Sequence, residues 1–308
     1  MTPMRLLLTA AALLVMPVVL SGVIGRVKSL WSGRKGPPIL QLAYDLRRLV
    51  QKRAVYSTTT TPLFRLAPYV FLATALCSSA MAPVLGSQAV SSFPFDFVWF
   101  AYVWALGRVA IMLAALDTGS AFEGMGAARE AVFAAALEPA FFLVAGALSF
   151  SSGHRTLCEI SALELRSGGQ TVVWAMALVA LLIILQVETS RMPVDDPSTH
   201  LELTMVHEVM VLDHSGLDLA AIQLATAIKL FVGSSIIATL LNPWSGSGGL
   251  LSALVNLALC VGIAAFLGSV ESLVARFKVR AVPQYIAVAL ACGGVALLAA
   301  IWRVGGTK

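Results

Sequence analysis

Charge is scarce in this chain. Only 12% of its 308 residues are Asp, Glu, Lys or Arg, against roughly 25% in soluble domains. That excludes an ordinary soluble globular protein. Cysteine is scarce too. Cys77, Cys158, Cys260 and Cys292 are scattered, and no pair has CxxC spacing. They offer neither a zinc site nor an iron–sulfur cluster and read as small buried apolar residues. Histidine occurs four times. His207-Glu208 opens like the HExxH zinc motif, but the second histidine would fall on Val211. His200, His207 and His214 recur every seven residues. On a helix that leaves about 10 Å between neighbours, too far to share one metal ion. No glycine-rich stretch carries the Lys and Ser/Thr of a phosphate loop, and no nucleophile is paired with a base. The chain is basic, with net charge +5 and pI near 9.2. The excess sits mostly in one loop, which points to membrane topology rather than nucleic acid.

What the chain has in abundance is apolar sequence: 58% hydrophobic residues and mean hydropathy +0.87. In lipid, only helical bundles and closed barrels satisfy the backbone. The apolar runs do not alternate and are each about 20 residues long, so they read as helices. Eight spans are expected: Leu6–Ile24, Ala67–Leu85, Phe95–Leu116, Ala131–Phe150, Val172–Val187, Leu219–Leu241, Leu250–Val270 and Val282–Trp302. The first leads straight into Arg26 and Lys28, as a retained helix does, rather than into a signal-peptide cleavage site. The fold class is all-α: one polytopic integral membrane domain over 1–308, with no internal repeat.

The loop 26–65 is the most basic, holding Arg26, Lys28, Arg34, Lys35, Arg47, Arg48, Lys52, Arg53 and Arg65 against Asp45. The positive-inside rule places it in the cytoplasm and both termini on the outer side of the inner membrane. After the GRKGPP turn (33–38), Ile39, Leu42, Ala43, Leu46, Leu49 and Val50 recur at helical spacing. That predicts an amphipathic helix lying in the lipid surface. A second cytoplasmic loop, 117–130, joins the third and fourth spans.

Residues 187–218 differ from everything around them. They contain Glu188, Asp195, Asp196, Glu202, Glu208, Asp213 and Asp218, and three of the four histidines, interleaved with Met205, Val206, Val209, Met210 and Val211. A merely solvated loop has no need of so many apolar residues. Within the spans lie Arg108, Glu138 and Lys229, and intramembrane ionisable residues are functional suspects. Over 117–138 and 188–218 the acids outnumber the bases, which are only Arg129 and Arg191. The expectation is therefore a chain of carboxyl groups short of basic partners, Glu138 among them, able to hold and pass protons. Pro139 removes a helical N–H beside Glu138.

At these residues the sequence resembles the family of subunit 1 of respiratory complex I. The pieces are GRKGPP, the helix after it, Glu130 and Glu138, and ETSRMP (188–193). Within that family it is most similar to the formate hydrogenlyase subunit 4 and hydrogenase-4 component C branch. Those pieces are LDTGSAFEGMGAARE (116–130), EP at 138–139 and PVDDPSTHLELTMVHEVMVLDHSG (193–216), with Glu271, Arg276 and Pro283 at the last cytoplasmic turn. The resemblance implies a non-catalytic, proton-coupling membrane anchor of a group 4 [NiFe]-hydrogenase complex. Glu130, Glu138, Glu188, Asp195, Glu202 and Glu208 would couple, joined by Asp213 and Lys229. Arg34, Gly36 and Pro37 would dock the peripheral arm, with Arg129, Arg191 and His207 in docking or structural roles. No cofactor would be bound by this chain. The nickel–iron centre and iron–sulfur clusters would sit in partners: hydrogenase large and small subunits and an iron–sulfur protein, beside antiporter-like membrane subunits. Complex I proteins carry Phe-Asp-Leu-Pro where this chain has Val194, Asp195, Asp196 and Pro197, which argues against a bound quinone. The alternatives are a quinone-site subunit of complex I and a stand-alone secondary transporter. The latter would show repeats and paired broken helices.

Overall fold

The structure, a computed structural model, describes residues 3–86, 88–162, 168–195, 205–245 and 249–305. Its helices are α1 (Pro3–Trp31), α2 (Gln41–Val50), α3 (Pro62–Met81), α4 (Asp96–Asp117), α5 (Ala121–Ser152), α6 (Leu157–Ser161), α7 (Gly168–Glu188), α8 (His207–Met210), α9 (Gly216–Leu241), α10 (Leu250–Leu273) and α11 (Val282–Gly305). No strand occurs among the described residues. Eight of the helices are long and apolar enough to cross a membrane, and the fold is an all-α polytopic bundle.

The eight spans expected from hydropathy are all present, with shifted ends. α1 runs on past the apolar run to Trp31, because hydropathy marks the lipid-facing part of a helix and not its end. The larger difference is α5. Residues expected in a cytoplasmic loop, 121–130, form its first turns. Glu123, Gly126 and Ala127 are buried at helical spacing there, so tertiary packing extends the helix beyond its apolar core. Only 118–120 remain as a connection. The start of α3 is built by Thr61, whose Oγ1 accepts from the Leu63 N–H at 3.2 Å, with Pro62 at the first helical position. The Thr61 N–H and hydroxyl donate to Asp117 Oδ2 at 2.7 and 2.9 Å, tying the foot of α3 to that of α4.

α9 is the central helix. Of its most apolar window 83% is buried, against 28–56% for the other seven spans. α3, α1, α10 and α7 pack around it, and α11 lies along α5 and α7. The amphipathic helix α2 rests on α9 and α1. At Gly216 the chain turns into α9 with φ +56°, and an added Cβ would lie 2.7 Å from the Lys52 carbonyl oxygen and 2.8 Å from the Ala54 nitrogen. The segment after α2 crosses there, held by the Val55 N–H donating to Ser215 Oγ at 3.0 Å.

Gly216→Ala therefore meets both a left-handed backbone and a backbone collision. It is expected to cost about 1–3 kcal/mol from the backbone conformation alone, and more from displacement of the linker. Gly119→Ala, with φ +72° and open space around it, isolates the first effect. Thermal melting of the detergent-purified variants should fall further for Gly216→Ala; equal melting would mean the crossing gives way freely.

Candidate functional site

Arg108 is buried in the middle of α4. A guanidinium in an apolar bundle is costly unless its donors and charge are matched. Here it is matched on three sides. Nε lies 3.4 Å from Glu130 Oε1 and Nη1 lies 3.2 Å from Glu138 Oε1, both on α5. Nη2 holds Oε1 of Glu188, the last residue of α7. The second Glu188 oxygen lies 3.1 Å from Lys229 Nζ on α9. Glu130 and Glu138 stand about 12 Å apart along the helix axis, so only long side chains leaning toward each other bring both carboxylates to one guanidinium. The Lys229 ammonium also lies 5.1 Å from the Phe71 ring centroid and 5.0 Å from that of Trp104, where ring quadrupoles favour a cation. Trp104 is fixed by its Nε1–H donating to Ser78 Oγ at 2.9 Å.

This corrects the expectation of carboxyl groups without basic partners. The partners come from α4 and α9, remote in sequence from the acids. Three carboxylates still face two cations, one negative charge in excess. Glu188 and Lys229 side chains are 5% and 3% exposed, whereas Glu138 is 40% exposed, at the flank of the bundle.

Beyond the C-terminal end of α7 a second group of contacts fastens the acidic stretch. Asp195 Oδ2 accepts from the N–H groups of Val206 and His207, both at 3.0 Å, and Oδ1 lies 2.9 Å from Arg276 Nη2. Arg191 Nη1 reaches Glu271 Oε1 at 3.2 Å, and Lys28 Nζ reaches Oε2 at 3.0 Å. Arg129 Nη1 donates to the Met205 carbonyl at 2.9 Å. Met205, Val206, Val209, Met210 and Val211 are buried, which accounts for the apolar residues among the acids. Glu271 is the residue whose role the sequence did not reveal. Its only signal was its place before the last basic turn.

A cavity of about 240 Å³ lies beside this segment, between α1, α2 and α9, lined by Asp195, Arg191, His207, Glu208, Ser21 and Gln223 among others. His207 is half-buried on its wall. Burial, and secondarily the Lys229 ammonium, lowers its pKa to about 4, so the imidazole is neutral at neutral pH. Its ring lies 6.4 Å from that of Phe71, whose face also meets Lys229. Phe71 thus neighbours both a residue of the cavity wall and a cation of the charge cluster.

The remaining candidates are elsewhere. Asp213 is exposed, and its N–H donates to Glu123 Oε1 at 3.3 Å. Arg34 and Pro37 are exposed in the turn after α1, and a Cβ on Gly36 would fall 1.8 Å from Ser29 Oγ. Glycine is needed there to close the turn itself, whatever docks on it. Glu202, with Asp196 and His200, lies outside the described residues. Among the described residues no three His, Cys, Asp or Glu side chains converge as a metal-binding group.

Removing Arg108 leaves three carboxylates against one ammonium. Arg108→Met is expected to cost about 3–5 kcal/mol, the usual consequence of stranding a buried charge, and to prevent the protein accumulating in the membrane. Adding Glu188→Gln should recover part of the loss. Yield and melting temperature check this, and a stable single variant would show the cluster to be hydrated enough to dispense with its cation.

The family model described as NADH dehydrogenase matches residues 4–302. The chain is 27% identical to hydrogenase-4 component C of Escherichia coli (strain K12) over 235 residues, 76% of this chain and 74% of that one. It is 26% identical to formate hydrogenlyase subunit 4 of the same organism over 292 residues, 90% and 92% of the two chains. Its fold is that of a chain of the membrane-bound sulfane sulfur reductase, an archaeal respiratory membrane complex, with TM-score 0.79 at 20% identity over 96% of this chain and 97% of that one. With a family match that spans nearly its whole length and a bundle to go with it, the chain belongs to the NADH dehydrogenase family, of the complex I subunit 1 type.

Proposed function

We propose that this chain is the membrane-anchor and proton-coupling subunit of a complex of the group 4 [NiFe]-hydrogenase type, resembling formate hydrogenlyase. The observation that carries this reading is the buried cluster of Arg108, Lys229, Glu130, Glu138 and Glu188. Two cations and three carboxylates are neutral together only when one carboxyl group holds a proton. Holding an unbalanced charge in a bundle interior is costly, so a mobile proton is the natural third partner of the acids. Asp195, Glu208 and His207 line the cavity on the cytoplasmic side of that cluster. A redox centre in a peripheral arm docked over the cavity would change charge there and act on the cluster through Phe71 and Lys229. Nickel–iron and iron–sulfur centres are assigned to that arm, in hydrogenase large and small subunits and an iron–sulfur protein. Antiporter-like membrane subunits would flank the bundle, and the side of α5 where Glu138 is partly exposed is where one would receive the proton.

The cavity favours one second reading, a quinone-reducing complex of the same family. Its volume of about 240 Å³ is below the roughly 300–1,000 Å³ usual for small-molecule sites. Quinone analysis of the purified complex, with metal analysis for nickel, separates the two. A chain that purifies alone and transports alone would sink both.

Glu138→Gln and Glu188→Gln keep size and hydrogen bonding but cannot release a proton. Each is expected to leave assembly and electron transfer in place while coupled proton movement in sealed vesicles drops by about a hundredfold, the lower end of what a positioned proton-transfer group supplies. Undiminished coupled transport in both variants would make the cluster structural.

The orientation proposed from the charge bias is testable separately. Reporter fusions near Arg47, His207 and Lys278 should lie in the cytoplasm, and fusions at either terminus outside. A cytoplasmic C-terminus would overturn the assignment.

A further inference from the structure

A second set of buried polar groups lies at the feet of α3, α5 and α9, apart from the Arg108 cluster and the Asp195 cavity. His214 is at its centre. The residue is 3% exposed, and its ring stacks on Phe64 with centroids 4.0 Å apart and planes 8° from parallel. Neither ring nitrogen has a hydrogen-bond partner among the described residues. The same is true of Asp218 Oδ2 and Glu123 Oε2, in side chains that are as deeply buried. The other oxygen of each is engaged. Asp218 Oδ1 accepts from the Tyr69 hydroxyl at 2.8 Å, and Glu123 Oε1 accepts from the Asp213 N–H.

A neutral imidazole has one N–H to give and one lone pair to fill. Burial lowers the pKa of His214 to about 4, against the opposing pull of Asp218 and Asp213, so the ring is neutral at neutral pH. An unmet donor and several unmet acceptors therefore lie on neighbouring segments of the interior, and each is costly to leave unmade. Bridging water removes that cost, and polar groups of this kind are what buried water requires.

Position gives this set of groups a direction. On α5, Glu123 precedes Glu130 by seven residues, two turns on the same face and about 10 Å apart. On α9, Asp218 precedes Lys229 by eleven residues, three turns on the same face. The set thus lies directly cytoplasmic of the charge cluster along both helices. Asp213 opens it to solvent. The polar and charged groups around it are Tyr56, beside Asp218, Thr118, beside Glu123, and Arg65, 4.4 Å over the Tyr56 ring. Lys52 and Arg53 cross at Gly216, and Asp117 is bound to Thr61.

We propose that Glu123, His214 and Asp218 frame a hydrated proton inlet, running from Asp213 at the cytoplasmic surface to Glu130 in the cluster and separate from the Asp195 cavity. A proton arriving on water beside Asp213 bonds to the unpaired Glu123 oxygen. That O–H then breaks as a water on the Glu130 side takes the proton onward. His214 relays in the same line, gaining a proton on one nitrogen as it gives up the proton on the other. No oxidation or reduction is involved. The inlet rests on the reading of the cluster as a proton-coupling site, and it adds the supply route that such a site needs.

The test uses the complex in sealed vesicles, with proton uptake from the cytoplasmic side followed by a pH dye alongside electron transfer. His214→Phe preserves the stack on Phe64, so it should assemble with unchanged melting. Both it and Glu123→Gln are expected to slow uptake by about a hundredfold near pH 8. The loss should be smaller near pH 6, where protons are more abundant, and Glu123→Asp should restore much of the rate. If Glu123→Gln fails to assemble, His214→Phe decides. Wild-type uptake in both variants at both pH values, with coupling lost in Glu188→Gln, would place the inlet elsewhere and leave the cluster reading standing. A loss equal at both pH values and not restored by Asp would make the set structural. Coupled uptake surviving in Glu188→Gln would remove the cluster reading, and the inlet with it.

Discussion

One guanidinium sets the terms for the bundle. Arg108 reaches carboxylates on α5 and α7, and Glu188 passes the connection on to Lys229 of α9. Hydrophobic burial does not hold helices together in lipid, because the surrounding tails are as apolar as the side chains. Ion pairs and close packing take its place, and here they converge on α9, the helix with least access to lipid. The same contacts that register the helices also concentrate charge where it is hardest to neutralise. On the proposed reading, structure and coupling therefore draw on the same side chains. A conservative change at Glu188 and a drastic one at Arg108 have to be read differently for that reason.

The acidic segment that follows α7 shows the complementary case. Its charges are spent on holding the chain down rather than on meeting solvent. Asp195 takes two backbone N–H groups and a guanidinium, which satisfies most of what an ionised carboxylate can accept. Arg129 caps the Met205 carbonyl, and Arg191 reaches across to Glu271. The cavity wall is thereby tied to α5 and α10, while Leu42 of α2 lines its other side. His207 is carried on this fixed segment, so its distance from the cluster is not left to chance.

Most of the fold was legible in the sequence. Apolar runs of membrane-crossing length leave little choice of architecture, and the period of Leu42, Leu46 and Leu49 marks α2 as it stands. The foot of α5 was not legible. Hydropathy cannot see that Glu123, Gly126 and Ala127 pack inward, since an acid and small residues lower the apolar score of the turns they stabilise. The site was half legible. Intramembrane Arg108, Glu138 and Lys229 stand out by composition alone. Their pairing does not, because it depends on which helices are neighbours, and Arg108 is 80 residues from Glu188. Local counting of acids and bases along 117–138 and 188–218 suggested unpaired carboxyl groups for that reason. The roles of Glu271 and His214 were not legible, because what distinguishes them, burial with or without a partner, is not a property of their neighbours in sequence.

The geometry also bounds how strongly the cavity and the cluster can feel one another. Lys229 and His207 both flank the Phe71 ring, at 5.1 Å from its centroid for the ammonium and 6.4 Å between ring centroids. They are therefore no more than about 12 Å apart. With an effective dielectric constant of about 20, a unit charge at roughly 10 Å is worth about 1.7 kcal/mol. That exceeds the 1.36 kcal/mol that changes a protonation equilibrium tenfold. Lys229 is buried, so little water screens it, whereas two exposed charges at this distance would already be a Debye length apart in physiological salt. On the proposed reading, a charge gained or lost at the cavity wall acts through Lys229 on where the odd proton rests among Glu130, Glu138 and Glu188, with no large movement of helices. The three acids are spread over two helices and one of them faces the flank of the bundle, so redistribution among them is also displacement across it.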